Sequence, residues 1–244
     1  MIDVAFTRAE VRRADVALVV DVLRASSTIV AALAAGFERV LCTADVEGAR
    51  SLRGPDRVLA GERGCRRIEG FDYGNSPAAL RHAPVSDLVL CTTNGTPAVL
   101  EAAEAAGEVL VASLLNLDAV VEAVPAGADV TVVCAGTDGR FALEDAYVAG
   151  RLVQPLGRDR TDAALAAVQL AGSYPGPQAA LVQSADARVL RATGQAADIG
   201  FCARQSLFGV VPRVVGVKPG VAVVERRAAT SHSQTPIKQQ PTFA

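Results

Sequence analysis

The stretch Cys134-Ala-Gly-Thr-Asp-Gly-Arg140 joins an apolar run, Val130–Cys134, to a segment with helical spacing, Leu143–Leu156. The apolar run predicts a buried strand, and the two glycines predict a turn before the helix begins. A strand–loop–helix unit directs backbone N–H groups and the positive end of the helix dipole to one point, where an anion binds well. Taken alone, the stretch is also typical of a glycine-rich turn with a capping aspartate.

Two further segments repeat this construction. The first has Asp21 at the end of an apolar strand, Arg24 three residues later, and hydroxyl side chains where a helix begins. The second follows the apolar run 88–91 with an Asn94-Gly95 turn, after which Thr96 suits the N-cap position of a helix. In a parallel sheet such loops leave at one edge, where the ligands of α/β proteins bind. Three polar loops at that edge predict a site for a multiply charged anion.

The order of strand and helix signals predicts the fold class. They alternate from residue 2 to about residue 156, which indicates βαβ units, so we predict an α/β fold with a largely parallel sheet flanked by helices in three layers. Segments 16–36 and 130–150 share the order strand, polar loop, arginine, helix and glycine. Two similar α/β halves, 1–125 and 126–225, are therefore an open alternative to one domain over 1–225. The segment 226–244 lacks apolar periodicity, and we expect a disordered tail.

Composition excludes several functional classes. A net charge of −2 without a basic stripe argues against a nucleic-acid partner. The chain has only two lysines and two histidines, so a lysine phosphate loop, a phosphohistidine and a histidine-rich metal site are not expected. Five cysteines without a C-x-x-C spacing argue against disulfides and zinc. Without a secretory signal or an apolar run near ~18 residues, we expect a soluble, cytoplasmic protein with no membrane partner.

The segment 61–77 is too long for an ordinary connection between two elements. Loops beyond about 12–15 residues are usually functional or disordered. Here glycines and charged residues are interspersed with Phe71 and Tyr73, and Asn75-Ser76-Pro77 suits the start of a helix. The aromatic side chains favour an ordered loop.

These motifs together resemble the 2-phosphosulfolactate phosphatase family of coenzyme M biosynthesis. The resemblance covers about residues 2–215 and rests on motifs in the family's order: Asp21-Val-Leu-Arg-Ala-Ser-Ser-Thr28, Gly61-Glu-Arg-Gly64, Ile68-Glu-Gly-Phe-Asp72, Gly74-Asn-Ser-Pro77, Thr92-Thr-Asn-Gly-Thr96, Ser113 with Asn116, Cys134-Ala-Gly-Thr137, Phe141, Leu143-Glu-Asp145 and Phe201-Cys-Ala203. It implies an enzyme that hydrolyses a phosphate monoester with Mg²⁺, releasing 3-sulfolactate and phosphate. Three positions depart from the family pattern, which has Gly, Ser and Asp where this chain has Cys65, Ala142 and Ser206.

The resemblance and the chemistry of the residues give a candidate site. A substrate with a phosphate, a carboxylate and a sulfonate needs several cations, and Mg²⁺ prefers oxygen ligands. We expect the metal to bind three carboxylates, Asp21, Glu62 and Asp145. We expect the reaction to use Asp21, Arg24, Arg140 and Glu144. The residues expected to bind substrate are Ser27, Arg63, Asn75, Ser76, Asn94, Gly95, Thr96 and Asn116.

Two other functions stay open on the sequence. Cys134 and Arg140 have the C-x₅-R spacing of cysteine-dependent phosphatases, in which a thiolate attacks the phosphate and the arginine binds it. That chemistry needs no metal and leaves the crowded carboxylates unexplained. A non-catalytic anion-binding protein on the same scaffold would keep Arg24, Asn94 and Arg140 but could lose the carboxylates. A homodimer is also an open alternative to a monomer.

Overall fold

A computed structural model describes residues 1–157 and 159–227. Residues 228–244, which make up most of the predicted tail, lie outside the described residues. None of the helices in the described ranges is long and apolar enough to cross a membrane.

Strands and helices alternate along the chain much as the sequence predicts. The strands are β1 (Ile2–Ala5), β2 (Ala14–Val20), β3 (Arg39–Thr43), β4 (Arg57–Arg63), β5 (Arg66–Arg67), β6 (Asp87–Cys91), β7 (Ala106–Ala112), β8 (Val130–Cys134), β9 (Pro212–Lys218) and β10 (Val221–Arg226). The helices are α1 (Ala25–Ala34), α2 (Val46–Ser51), α3 (Gly95–Ala105), α4 (Leu117–Ala123), α5 (Leu143–Leu156), α6 (Asp162–Gly172), α7 (Pro177–Leu181), α8 (Ala185–Ala192) and α9 (Ala196–Cys202).

The strands form one mixed, mostly parallel sheet in the order β1-β8-β2-β7-β9-β10-β3-β6-β4-β5. One group, β1, β8, β2 and β7, is parallel, and so is a second group, β3, β6 and β4. Three antiparallel pairings, β7 with β9, β9 with β10 and β10 with β3, connect the groups. Because this number is odd, the two groups do not share one strand direction. The sequence predicts that the polar loops leave at one edge of a parallel sheet. In the structure they come instead from two groups of strands that run in opposite directions.

Helices cover both faces of the sheet, which confirms the three-layer α/β architecture. Along β2, Leu18 and Val20 pack into one core cluster with helices α4 to α9, whereas Ala17 and Val19 pack into a second with α1 and α3. A strand that alternates between two apolar layers is the expected pattern for a sheet buried on both sides. Each fully buried leucine or isoleucine in these layers contributes ~1.5–3 kcal/mol.

The similar halves are not confirmed. Strand β8, which follows residue 126, lies between β1 and β2, so the two sequence halves interleave within one sheet. The repeated units β2–α1 and β8–α5 are instead direct neighbours, because β2 and β8 pair in parallel.

Helix α3 begins at Gly95, earlier than an N-cap at Thr96 would allow.

The helices after α5 form a layer that returns to the loop ends of the strands. Helices α5 and α6 pack closely because residue 150 is glycine, where a Cβ would lie 2.0 Å from the carbonyl oxygen of Ala167. Leu190 of α8 and Ile199 of α9 belong to the core cluster that contains Leu18 and Val20 of β2. Their neighbours Asp186 and Asp198 thereby reach the loops that follow the strands.

Candidate active site

A cavity of about 250 Å³ lies where loops from both strand groups meet. The loops after β2, β6 and β8, the β4–β5 hairpin and helix α8 all contribute to its wall. Its lining residues are Asp21, Leu23, Arg24, Glu62, Gly64, Cys65, Asn75, Thr93, Asn94, Thr137, Asp138, Asp186 and Val189. Five of the residues expected in the site, Asp21, Arg24, Glu62, Asn75 and Asn94, are among them.

Asp21 lies between the N-termini of two helices. Its Oδ1 atom accepts a hydrogen bond of 3.0 Å from the backbone N–H of Ala25 in the first turn of α1. Helix α3 approaches from the other side, where a Cβ on Gly95 would lie 2.5 Å from Oδ2 of Asp21. Gly95 therefore allows helix α3 to pack closely against Asp21, but it does not itself line the cavity. Desolvation, with additional repulsion from Asp186 and Glu62, raises the pKa of Asp21 from its usual 3.8 to about 7.

Arg24 reaches the cavity, but its guanidinium group is also part of a buried network. The residue is 2% exposed, and Nη1 donates to Oδ2 of Asp198 at 2.7 Å and to the side chain of Gln195. The other Asp198 oxygen accepts a 2.7 Å hydrogen bond from the Ser76 hydroxyl. The amide of Gln195 donates in turn to the carbonyl of Cys65. This network connects α9 to two loops of the site.

Two further carboxyl groups lie where α8 meets the loop after β8. Asp186 accepts a 2.9 Å hydrogen bond from the Thr137 hydroxyl and is hydrogen-bonded to Glu144. Desolvation and the nearby Asp186 raise the pKa of Glu144 from its usual 4.5 to about 8, and desolvation raises the pKa of Asp186 as well. Burial and the neighbouring carboxyl group thus favour the protonated form of Glu144. Glu144 does not line the cavity; it lies next to it, beside Asp186.

Two of the expected metal ligands are engaged with backbone N–H groups. Both Asp145 oxygens accept hydrogen bonds, from Val22 at 2.9 Å and from Gly136 at 3.2 Å. Desolvation raises the pKa of Asp145 well above its usual value. Glu62 accepts from the N–H of Cys65 and from both the N–H and the hydroxyl of Thr93, at 2.9–3.0 Å. Asp145 thus connects the loops after β2 and β8, and Glu62 supports the wall of the cavity.

Asn75 brings an unsatisfied polar atom to the cavity. Its side chain is 4% exposed, and its Oδ1 atom is buried without a hydrogen-bond partner among the described residues. A buried amide oxygen without a partner costs about 1–3 kcal/mol. Because Asn75 lines the cavity, it is a candidate to bind a ligand there.

The other residues expected to bind substrate make internal hydrogen bonds instead. The hydroxyl of Ser27 donates to the Val22 carbonyl, and that of Thr96 donates to the Thr43 carbonyl, both at 2.9 Å. The amide of Asn116 donates to carbonyl groups of Val111 and Val210. None of these three lines the cavity, and neither do Gly95 and Ser76.

Arg63 also lies outside the cavity lining. Its guanidinium donates to the Glu62 and Ala44 carbonyl oxygens, at 2.7 Å each, and to Sγ of Cys91 at 3.3 Å. These bonds connect the end of β4 to the loop after β3 and to the end of β6. The structure therefore gives Arg63 a supporting position beside the site.

Cys134 and Arg140 are placed unfavourably for thiolate chemistry. Cys134 is 0% exposed and packs in the core cluster that contains Leu18 and Val20 of β2. This burial raises the pKa of the thiol well above the usual value. A thiol with a raised pKa stays protonated near neutral pH and is a poor nucleophile. Arg140 is exposed and lies in a groove next to the cavity.

Sequence reasoning missed Asp186, Asp198 and Gln195. Each lies at or near the start of a C-terminal helix, where an aspartate is also typical of ordinary helix starts. Ser184 caps α8 by accepting from the N–H of Ala187, so the local pattern around Asp186 has a complete structural explanation. Only the packing of α8 and α9 against the loops shows that these side chains belong to the site.

The side chains of the cavity suit Mg²⁺ in their chemistry. Carboxylate oxygens and the unpartnered oxygen of Asn75 are donors that this ion prefers. In residues 1–157 and 159–227, no three His, Cys, Asp or Glu side chains are grouped closely enough to hold a metal ion by themselves. Mg²⁺ is often held by only one or two carboxylates together with waters and substrate phosphate, and the cavity fits this mode.

An α/β fold that gathers carboxylates, an arginine and two helix N-termini around a small cavity defines an enzyme for small anionic substrates. The family model for 2-phosphosulpholactate phosphatase matches residues 4–216. This chain therefore belongs to the 2-phosphosulfolactate phosphatase family, a family of phosphoric monoester hydrolases.

Curated relatives support this assignment over most of the chain. A probable 2-phosphosulfolactate phosphatase of Thermus thermophilus is 40% identical over 222 residues, covering 88% of this chain and 93% of the relative. A protein of the same name from Thermotoga petrophila is 40% identical over 219 residues, covering 88% and 96%. Another from Deinococcus radiodurans is 39% identical over 211 residues, covering 82% and 88%.

Proposed function

We propose that this protein hydrolyses 2-phosphosulfolactate to 3-sulfolactate and phosphate and that it uses Mg²⁺. The observation that carries the proposal is the charge of the cavity. Four carboxylates, Asp21, Glu62, Asp138 and Asp186, line it together with one arginine. An anionic ester can enter only if a cation offsets these charges, and the names of the relatives indicate which ester it is.

Asp21 and Asp186 are the residues that would hold the metal. Both line the cavity. Desolvation raises the pKa of each, and repulsion from Asp186 adds to the raised pKa of Asp21; a bound cation would reverse both effects. When bound, Mg²⁺ would supply charge neutralisation on the phosphate oxygens. Asn75 also lines the cavity, and its side-chain oxygen has no hydrogen-bond partner among the described residues, so it is a candidate to bind the ion or one of its waters.

The remaining groups of the cavity suit binding of the phosphate. Arg24 is held in a fixed orientation by Asp198, so its unused N–H groups can bind a phosphate without a large loss of rotamer freedom. The N-terminus of α3 follows Asn94, whose side-chain oxygen accepts a 3.2 Å hydrogen bond from the N–H of Asp138. That bond holds two loops of the cavity together and directs the helix N-terminus to the site.

A hydrolysis assay tests the proposal. Phosphate release from 2-phosphosulfolactate is measured with Mg²⁺, with EDTA, and with EDTA followed by excess Mg²⁺; glycerol phosphate is the comparison ester. We expect EDTA to abolish the activity, Mg²⁺ to restore it, and the sulfonated ester to be preferred. Activity that persists in EDTA would contradict the metal, and equal kcat/KM for both esters would contradict the substrate.

The non-catalytic alternative predicts a different result in the same assay. An anion-binding protein would bind phosphate esters without releasing phosphate under any metal condition. The retained carboxylates Asp21, Glu144 and Asp145, all with raised pKa values, support the enzyme instead. A role in coenzyme M biosynthesis, a cytoplasmic location and a homodimer stay predictions.

A further inference from the structure

A second groove, of about 570 Å³, lies next to the cavity. Thr137 and Asp138 belong to the walls of both, so the two spaces adjoin along the loop after β8. Arg140 lines the groove from this loop, and Arg188 lines it from helix α8. The carboxyl groups of Asp138 and Glu144 also line it, and the activity as proposed so far assigns no part of the substrate to this groove.

The charges of the cavity leave one part of the proposed substrate without a partner. Besides the phosphate, 2-phosphosulfolactate carries a carboxylate and a sulfonate. Arg24 is the one cationic side chain in the cavity lining, and part of its guanidinium is already paired with Asp198. Arg63 is committed to two main-chain carbonyl groups. With Mg²⁺ and Arg24 assigned to the phosphate, we look to arginines outside the cavity lining for the sulfonate.

Arg140 and Arg188 are available for this purpose. Both are exposed, and Arg140 makes no side-chain hydrogen bond or ion pair within residues 1–157 and 159–227. Arg188 donates from Nη1 to the Gln183 carbonyl at 3.0 Å, which orients the side chain but leaves its other N–H groups unused. Two guanidinium groups can together bind the three oxygens of a sulfonate, which stays ionised at any physiological pH.

We propose that the groove is a subsite for the sulfonate, with Arg140 and Arg188 as the residues that determine specificity. This inference rests on the proposed function. The sulfonate is one methylene further from the phosphate-bearing carbon than the carboxylate is. It is therefore the group of this substrate that can extend past Asp138 into the neighbouring space.

Local structure fixes both arginines relative to the cavity. The N–H and C=O groups of Thr137 and Arg140 exchange two hydrogen bonds, of 2.9 and 3.0 Å, across the loop. The ring of Phe141, the next residue, packs on Phe6 with centroids 5.5 Å apart. Helix α8 presents Asp186 to the cavity and Arg188 to the groove, so both spaces share one rigid wall. The sulfonate and the phosphate would thus be held at a fixed separation.

Kinetics with two esters tests the subsite. The first ester is 2-phosphosulfolactate, and the second is 2-phospholactate, which keeps the phosphate and the carboxylate but has no sulfonate. The variants are Arg140→Gln and Arg188→Gln. Arg191→Gln is the matched control, because Arg191 lies on the same helix and also donates to a main-chain carbonyl, that of Val182, but does not line the groove.

We expect each groove variant to lower kcat/KM for 2-phosphosulfolactate about tenfold or more. For 2-phospholactate, Arg188→Gln should stay within about twofold of the unmodified protein, and Arg191→Gln should leave both esters unchanged. An equal loss for both esters would overturn the subsite, and so would an unchanged preference for the sulfonated ester.

A binding measurement separates failure of the subsite from failure of the proposed function. Calorimetry compares 3-sulfolactate with lactate on the unmodified protein and on Arg188→Gln. We expect a preference for 3-sulfolactate that the variant loses. If the unmodified protein hydrolyses neither ester yet shows this Arg188-dependent preference, the proposed function fails and the subsite stands. Equal affinity for both acids in the unmodified protein would overturn the subsite.

Discussion

The two neighbouring strand–loop–helix units, 16–36 and 130–150, use similar sequences for different purposes. Each unit places an arginine in the loop between its strand and its helix, and their strands β2 and β8 pair in parallel. Arg24 of the first unit is buried against Asp198, whereas Arg140 of the second is exposed and unpaired among the described residues. The partner that the rest of the chain provides, rather than the local motif, decides the role of the arginine.

The carboxylates of the two units differ in the same way. Asp21 ends its strand and lines the cavity, with one oxygen bonded to the start of its own helix. Asp145 lies on α5 and reaches back to the N–H of Val22 in the first unit. One carboxylate is thus placed for a ligand, and the other connects the two units.

The largest expected effect is the loss of activity in Asp21→Asn. The substitution keeps the size of the side chain but removes the charge that we assign to the metal and to phosphate transfer. We expect kcat/KM to fall ~10³-fold while circular dichroism stays unchanged, since charge placed for the transition state contributes ~10²–10³-fold in kcat. A loss of less than tenfold would show that Asp21 and Asp145 do not differ in role as proposed.

The two arginines provide the next comparison. Arg24→Ala leaves Asp198 as an unpaired buried charge, which should lower the free energy of unfolding by ~3–5 kcal/mol, measured by urea denaturation. Arg140→Ala removes an exposed side chain and should change stability by no more than ~0.5 kcal/mol. Comparable losses of stability in both variants would contradict the difference between a buried, paired Arg24 and an exposed Arg140 without a partner among the described residues.

A smaller effect concerns the pH dependence of stability in metal-free protein. The folded chain keeps the Asp21 proton up to about pH 7, whereas the unfolded chain loses it near the usual pKa of 3.8. As pH rises between these values, the unfolded state gains stability relative to the folded state. Asp21→Asn cannot ionise, so its Tm should exceed that of the unmodified protein by ~3 °C or more at pH 8 and by almost nothing at pH 4. A difference that is independent of pH would refute the raised pKa.

The smallest effect is expected for Cys134→Ser, at the end of the strand of the second unit. Its thiol is buried in the core, so a hydroxyl there should cost ~1–3 kcal/mol of stability. Because the thiol is not placed as a nucleophile, activity per folded molecule should stay within about twofold. A folded but inactive serine variant would restore the cysteine-dependent mechanism, and Cys134→Ala controls for the polarity of the substitution.

Local sequence patterns predicted the elements of the fold better than the partners of individual side chains. The strand and helix of each repeated unit can be predicted because apolar periodicity and turn residues are local features of the sequence. The bond from Arg24 to Asp198 joins residues 174 positions apart, and no local signal identifies it. Ser27 and Asn116 show the same difficulty, because hydroxyl and amide groups serve equally well in ligand binding and in internal hydrogen bonds. In the structure both side chains are buried and donate to main-chain carbonyl groups, which the sequence does not show.

The position of β9 and β10 constrains the order in which the chain can fold. These strands follow all the others in sequence, yet they lie in the middle of the sheet, between β7 and β3. While the ribosome is still synthesising the chain, each parallel group can assemble only separately, with one edge strand open to wrong pairing. The cavity, whose wall draws on both groups, is complete only after these two strands are inserted. We therefore expect slow refolding, because contacts between distant residues must form before the sheet closes.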